Sequence, residues 1–339
     1  MKVLLIGGTG TISMAITKLL LDQGNEVYLM NRGSRNHELP DGYHHLDVDM
    51  KQEKEIEKAV EGMKFDVVAN FILFDPAQAE RDFRIFCDKT KQYIFISSAS
   101  AYQKPLSDYH ITEGTPLSNP YWAYSRNKIA CEEYFMRQYR EHGFPITIVR
   151  PSHTYDERAV ALGVHGRKGS WQVVKRMMEG KPVIVHGDGT SLWTVTHSSD
   201  FARAFVGLLG NIHAIGEAVQ ITSDESLTWN QIYQCIANAL HVEFKPYYVP
   251  SDFLAKCSDY DFLGGLIGDK ANSVVFDKTK LKRLVPGFTA VKRYDTGIKE
   301  TIEYILAHPE YQREDPEFDV WCDRVIAAME QAIENIQNI

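Results

Sequence analysis

The apolar run Val3-Leu4-Leu5-Ile6 passes directly into Gly7-Gly8-Thr9-Gly10-Thr11-Ile12-Ser13, and no other stretch of the chain restricts its fold as much. A short apolar run of this kind reads as a buried strand. Ile12, Ile16 and Leu19 then recur at helical spacing until Gly24 ends the helix. Glycines between a strand and a helix permit a tight turn and let the backbone approach a ligand closely. The helix N-terminus that follows offers unpaired N–H groups and the positive end of the helix dipole, a setting that attracts a pyrophosphate. Ser13 occupies the third glycine position and is small enough to keep the helix near the sheet. The turn therefore predicts a dinucleotide site on Gly7, Thr9, Gly10, Thr11 and Ile12.

The alternation of apolar runs and amphipathic segments continues. Glu26 to Met30 and Tyr43 to Leu46 read as strands, Gln52 to Glu61 as a helix and Phe65 to Asn70 as a fourth strand. Ala77 to Asp88 reads as a helix, Tyr93 to Ser97 as a fifth strand, and a long helix from about Tyr121 to Arg140 leads to the strand Ile146 to Val149. The expected class is α/β, a Rossmann-type doubly wound parallel sheet with a smaller C-terminal substrate lobe. Past Arg150-Pro151 the pattern loosens. Val183 to Val185 and Ala218 to Ile221 read as further additions to the sheet, and Ser198 to Leu209 as a helix capped by Ser198 or Ser199. With 339 residues, more than one compact unit is expected. The expected Rossmann domain covers 1–165 with 194–222, the substrate lobe 166–193 with 223–315, and a terminal helix 316–339. That helix carries Phe318, Trp321, Val325, Met329, Ala332 and Ile336 on one face, which packs on the protein's own surface or on a second subunit, as in a homodimer.

A formal charge of −8 disfavours nucleic acid or an anionic membrane as the main partner. The basic run Lys278, Lys280, Lys282 and Arg283 reads as a solvated helix face. Five scattered cysteines without a C-x-x-C pair point to free thiols in a reducing compartment, and the twelve histidines show no ligand spacing, so no metal is expected. No positive leader with a cleavable apolar stretch stands at the N-terminus, and no apolar run reaches the roughly 18 residues of a membrane span. A cytoplasmic protein is expected.

About twenty residues past the turn, NAD-binding folds place an acid on the ribose 2′-hydroxyl. Here the chain has Asn31 and Arg32, with Arg35 close by. An arginine fork suits a 2′-phosphate, so NADP(H) is expected, with NAD(H) still compatible. Asp47, at the end of the third strand with Val48 beside it, either accepts from the adenine amino group or serves to form the turn. Farther on, Tyr124-Ser125-Arg126-Asn127-Lys128 puts a phenol and an ammonium four residues apart, on one helix face. A nearby ammonium favours the phenolate, which makes the tyrosine usable as an acid/base. Ser98, just past the fifth strand, could hydrogen-bond a reacting oxygen.

These landmarks resemble the extended short-chain dehydrogenase/reductase family, the group of nucleotide-sugar epimerases and dehydratases. The resemblance covers roughly residues 1–300: the glycine turn, Ser97-Ser98-Ala99-Ser100-Ala101-Tyr102, Tyr124 with Lys128, Arg150-Pro151, Gly187-Asp188-Gly189, His197 to Asp200, and Gly216-Glu217-Ala218. It implies that Ser98 and Tyr124 polarise a substrate oxygen and move its proton, that Lys128 also holds the nicotinamide ribose, and that Ser100, His153 and Trp193 face the substrate. Asn31-Arg32-Gly33 and the run Asp269-Lys270 to Phe276-Asp277 resemble an atypical branch that includes the chloroplast stem-loop RNA-binding proteins. There are departures. Ala99-Ser100 replaces the Asp-Glu pair of the dehydratases, Trp193 replaces the arginine with which the epimerases hold a diphosphate, and Tyr155-Asp156-Glu157 replaces Tyr-Gly-Pro.

Two functional readings follow. In the first, the chain is an NADP(H)-dependent oxidoreductase or epimerase acting at a carbinol or carbonyl carbon of a small, sugar-like substrate, with Tyr124 as acid/base. In the second, it is a cofactor-binding regulatory or RNA-associated protein without turnover.

Overall fold

The computed structural model describes residues 1–338. Its central sheet has seven strands, all parallel. Five are β1 (Lys2–Ile6), β2 (Glu26–Asn31), β3 (Tyr43–Asp47), β4 (Val67–Asn70) and β5 (Tyr93–Ile96), and the others are Ile146–Pro151 and Ala218–Ile221. The order across the sheet is Ala218–Ile221, Ile146–Pro151, β5, β4, β1, β2, β3. After β3 the chain therefore returns to the far side of β1. This leaves a crevice at the carboxyl ends of β1 and β4, where open α/β sheets bind ligands.

The crossovers include α1 (Thr11–Asp22), α2 (Glu53–Ala59), α3 (Pro76–Phe86) and α4 (Ala123–His142). Alternate strand residues bury into two separate cores. Val3, Leu5, Val27, Leu29 and Val67 pack with Ile16 and Leu20 of α1 and with Phe201 and Phe205 of the helix Ser198–Leu208. Leu4, Ile6, Met30, Val68 and Phe95 pack with Ile56, Ile85 and Phe135 of α2, α3 and α4. Both faces are covered at β1, β4 and β5, so these strands read as nearly unbroken apolar runs, whereas the edge strand β3 is polar and largely exposed.

A buried polar network ties α3 to the sheet. Asp82 is fully buried and accepts from Arg81 Nε at 2.9 Å, Asn70 Nδ2 at 2.6 Å and the Tyr93 hydroxyl at 2.5 Å. Asn70 Oδ1 in turn accepts from the Ile72 N–H at 2.9 Å, and Arg81 Nη1 donates to the Met50 carbonyl at 2.7 Å. One carboxylate thus anchors the two loops that leave β3 and β4.

The chain divides into two compact units. The first comprises Met1–Thr154, Thr194–Asp224 and Val275–Val291. The second comprises Tyr155–Trp193, Glu225–Val274 and the chain from Lys292 onward. The boundary falls at Thr154 where the sequence suggested 165, residues 275–291 return to the first unit, and the terminal helix belongs to the second. In the second unit, Val183–His186 pairs in parallel with Pro246–Val249. This corrects its expected place in the main sheet, because a four-residue apolar run does not encode its partner. Arg176, on the helix Trp171–Met178, is fully buried and grips the terminal helix Pro316–Gln337 through Asp319 at 2.6 Å and Asp323 at 2.8 Å. Phe318 and Val325 are buried, whereas Ile336 is 71% exposed, so the expected apolar stripe packs only along its first half. His197 caps Ser198–Leu208, its Nδ1 accepting from the Ser199 N–H at 3.2 Å, so neither expected serine is the cap. Among the described residues no helix is long and apolar enough to cross a membrane, and no group of three or more His, Cys, Asp or Glu side chains could hold a metal.

Asp82→Ala would leave a buried guanidinium, a phenol and an amide without their acceptor. It should destabilise the protein by about 3–5 kcal/mol, measured by urea unfolding against wild type; a loss within experimental error would show that the network contributes little.

Candidate active site and cofactor cleft

Gly7 takes φ +82°, and a Cβ there would meet Ile72 Cγ2 at 2.7 Å. Only glycine lets the turn after β1 pass this close to the loop after β4. Ser13 then stitches the turn together, donating to the Gly7 carbonyl at 2.7 Å and accepting from the Gly10 N–H at 2.8 Å. Thr11 and Ile12 open α1, whose first turn carries no acid. Their N–H groups have no intrahelical acceptor and form the positive end of the helix.

This turn forms one wall of a cleft of about 620 Å³. The cleft brings together Gly7, Thr9, Gly10, Asn31, Arg32, Arg35 and Val48, seven of the residues expected at the cofactor. Asp47 does not line it. β3 ends at this exposed residue and the following turn brings Asp49 and Lys51 to the wall instead. Asn31 reaches the cleft, but its side chain shapes the loop: Oδ1 accepts from the Gly33 N–H at 2.8 Å and Nδ2 donates to Asn36 Oδ1 at 3.0 Å. That Asx turn leaves Arg32 and Arg35 on the wall. Ile72, Phe74 and Gln78 complete the wall. They follow β4, so the order of the strands could have pointed to them, whereas Lys51 carried no signal beyond its place in a charged run. Three cations thus face a single carboxylate, Asp49, in a cleft headed by a helix N-terminus, a donor set that fits a dinucleotide pyrophosphate.

The second group lies where β5 and α4 meet. Tyr124 and Lys128 stand one turn apart on α4, with Tyr124 half-buried and Lys128 only 2% exposed. Lys128 Nζ donates to the Leu73 carbonyl at 2.5 Å and the Ile96 carbonyl at 2.8 Å. It also sits 4.8 Å from the Phe74 ring centre, 4.9 Å from Phe95 and 5.6 Å from Tyr124. Burial pulls the ammonium down to a pKa of about 8, because water no longer solvates the charge. Ser98, half-buried, caps the short turn Ala99–Ala101.

The expected substrate contacts fare differently. Ser100 is 3% exposed and its hydroxyl is engaged with Ser98 and Ser125. His153 is half-buried on the strand His153–Tyr155. Trp193 belongs to the second unit, where it is 3% exposed and stacks on Trp229 with ring centres 6.0 Å apart. The basic run is no free patch: Lys280 pairs with Glu217, and Lys278 and Lys282 pair with Asp224.

Residues 3–222 match the family described as "NAD dependent epimerase/dehydratase family". The chain is 26% identical over 289 residues to 2'-dehydrokanamycin reductase of Streptomyces kanamyceticus, covering 85% of this chain and 80% of that protein. It is 26% identical over 251 residues to the chloroplast stem-loop binding protein of 41 kDa b of Arabidopsis thaliana, covering 70% of this chain and 63% of that one. The solved UDP-glucose 4-epimerase of Thermus thermophilus, complexed with NAD, shares the fold with a TM-score of 0.72 at 19% identity, over 91% of this chain and all of that one. The glycine turn at the crevice and the family match together place the chain in the NAD dependent epimerase/dehydratase family, as an enzyme of that family.

Proposed function

We propose that the protein is an NADPH-dependent reductase of a ketone on a small, sugar-like molecule. The observation that carries this reading is the cation wall: Arg32, Arg35 and Lys51 line the cleft, and β2 ends in Asn31 where NAD-binding folds place an acid. A 2′-phosphate brings about two negative charges, which an acid would repel and an arginine fork can pair. The similarity to a 2'-dehydrokanamycin reductase supports the ketone as the group acted on.

When bound, the reduced nicotinamide would supply the hydride that turns the carbonyl carbon into a carbinol carbon. The chain's own residues would manage the oxygen. Ser98 Oγ donates a hydrogen bond to it, Tyr124 gives it the phenolic proton, and solvent returns a proton to Tyr124 afterwards. Lys128 keeps a positive charge one helical turn away, which favours the transient phenolate. Its two carbonyl contacts occupy two of three ammonium protons and leave one for a cofactor ribose. Trp193 is buried against Trp229 and carries no charge, so this position provides nothing to pair with a diphosphate. A free ketosugar suits such a chain better than a nucleoside-diphosphate sugar.

NADPH should bind more tightly than NADH when both are titrated by quenching of tryptophan emission. Arg32→Ala should weaken NADPH roughly 10–100-fold, the value of one charge-assisted pair, and leave NADH nearly unchanged; equal affinities in wild type would refute the choice of cofactor. In NADPH consumption with 2'-dehydrokanamycin, wild type should turn over while UDP-galactose should give no product. Tyr124→Phe should lower kcat about 10²–10⁴-fold with little change in cofactor affinity, and near-normal turnover would remove Tyr124 from the mechanism. Lys128 also predicts a pH effect on folding. Its folded pKa of about 8 lies below the ordinary 10.5, so between those values the unfolded chain holds more protons and rising pH favours the folded state. Urea unfolding from pH 8 to 10.5 should show wild type gaining stability relative to Lys128→Met; parallel curves would mean that the ammonium is not penalised.

A further inference from the structure

Three serine hydroxyls form a chain behind the candidate site. Ser125 Oγ donates to Ser100 Oγ at 2.7 Å, and Ser100 Oγ lies 2.9 Å from Ser98 Oγ. Ser98 Oγ also accepts from the Ser100 main-chain N–H at 3.1 Å. They come from two local structures: Ser98 caps the turn Ala99–Ala101 that carries Ser100, and Ser125 lies in the first turn of α4, directly after Tyr124. Asn119 Nδ2 donates to the Ser100 carbonyl at 2.8 Å and holds the middle of the chain in place.

Burial decides which way the protons run. A hydroxyl has one proton to give and two lone pairs to offer. The Ser125 proton goes to Ser100. The Ser100 proton then has one acceptor among the described residues, Ser98 Oγ. Ser100 is 3% exposed and Ser125 is fully buried, so a proton sent elsewhere from Ser100 would meet no acceptor, a costly arrangement away from water. Ser98 is half-buried, so its own proton can leave the chain of hydroxyls.

We propose that Ser100 and Ser125 are positioning residues that hold Ser98 as a hydrogen-bond donor. The chain runs Ser125 to Ser100 to Ser98, and the Ser100 O–H and N–H together occupy both lone pairs of Ser98 Oγ. Ser98 can then approach the substrate oxygen only with its proton. A carbonyl oxygen gaining negative charge is stabilised by donors already aimed at it, and a freely rotating hydroxyl would face it with a lone pair part of the time. This rests on the proposal that Ser98 contacts the substrate oxygen.

Two measurements test it on the full chain with NADP bound or NADPH supplied. Neutron diffraction from deuterium-exchanged crystals should place the Ser100 deuteron on the line to Ser98 and the Ser98 deuteron away from Ser100. A Ser98 deuteron directed at Ser100 overturns the proposal whether or not the protein reduces any ketone. In NADPH consumption with 2'-dehydrokanamycin, Ser125→Ala should lower kcat about 5–10-fold, the value of one ordinary hydrogen bond, with KM and melting temperature unchanged. A Ser125→Ala enzyme with full kcat, or one whose loss follows its melting temperature, overturns it as well. Absence of wild-type turnover would count against the reductase reading alone, and the neutron result would still decide the direction of the chain.

Discussion

The ammonium of Lys128 lies out of water, and the local architecture depends on how its charge is accommodated. Its partners are the main-chain carbonyls of Leu73, in the loop after β4, and Ile96, at the carboxyl end of β5, with the faces of Phe74 and Phe95 closing around it. The Ile96 carbonyl cannot move without disturbing the sheet, so the ammonium ties α4 to the end of β5 and to the loop after β4. Tyr124 follows from that tie, being one turn earlier on the same face. The Asp82 network holds the same loop from the other side, through Asn70 and the Ile72 N–H. A buried charge costs free energy, and here the cost falls where geometry matters most to the proposed chemistry.

The cleft arises from a different constraint. Parallel strands need crossovers, and a sheet covered on both faces must place helices alternately above and below it. With β1 between β2 and β4, the turn after β1 and the loop after β4 open toward each other instead of packing a shared helix. Gly7 and Ile72 meet at that opening, and the N-terminus of α1 points into it. The cations come from the neighbouring strand ends, Arg32 and Arg35 after β2 and Lys51 after β3. The cleft is thus a consequence of strand order, and its local charge is set by Arg32, Arg35 and Lys51 facing Asp49.

The second unit is held by a different kind of contact. Its strands pair two by two, Val183–His186 with Pro246–Val249 and Leu192–Trp193 with Leu227–Thr228. Stacked aromatics and the buried Arg176 unite the rest: Trp229 lies between Trp193 and His186, and Arg176 holds the terminal helix by two carboxylates. Short strands with little sheet of their own leave most of the burial to side chains of this kind.

Much of the first unit could be read in advance. The inner strands β1, β4 and β5 announced themselves because residues buried on both faces are nearly all apolar, and the glycine turn because a positive φ against Ile72 admits nothing larger. Tyr124 and Lys128 were legible because helical spacing alone puts them on one face. Other features depended on which segments meet. Asp49, Lys51 and Phe74 enter the cleft because their loops follow particular strands, and Asp47 misses it because β3 ends there. Val183–His186 looked like any sheet strand until Pro246–Val249 took it as a partner. Ser125 suggested no role and Ser100 a different one, a substrate contact, before β5 and α4 brought their hydroxyls to 2.7 Å. Local sequence determines the periodicity of burial and the freedom of the backbone, which interact with near neighbours along the chain. Only tertiary structure decides partners, because hydrogen bonds and charge pairs between distant residues exist only once the sheet has set the distances.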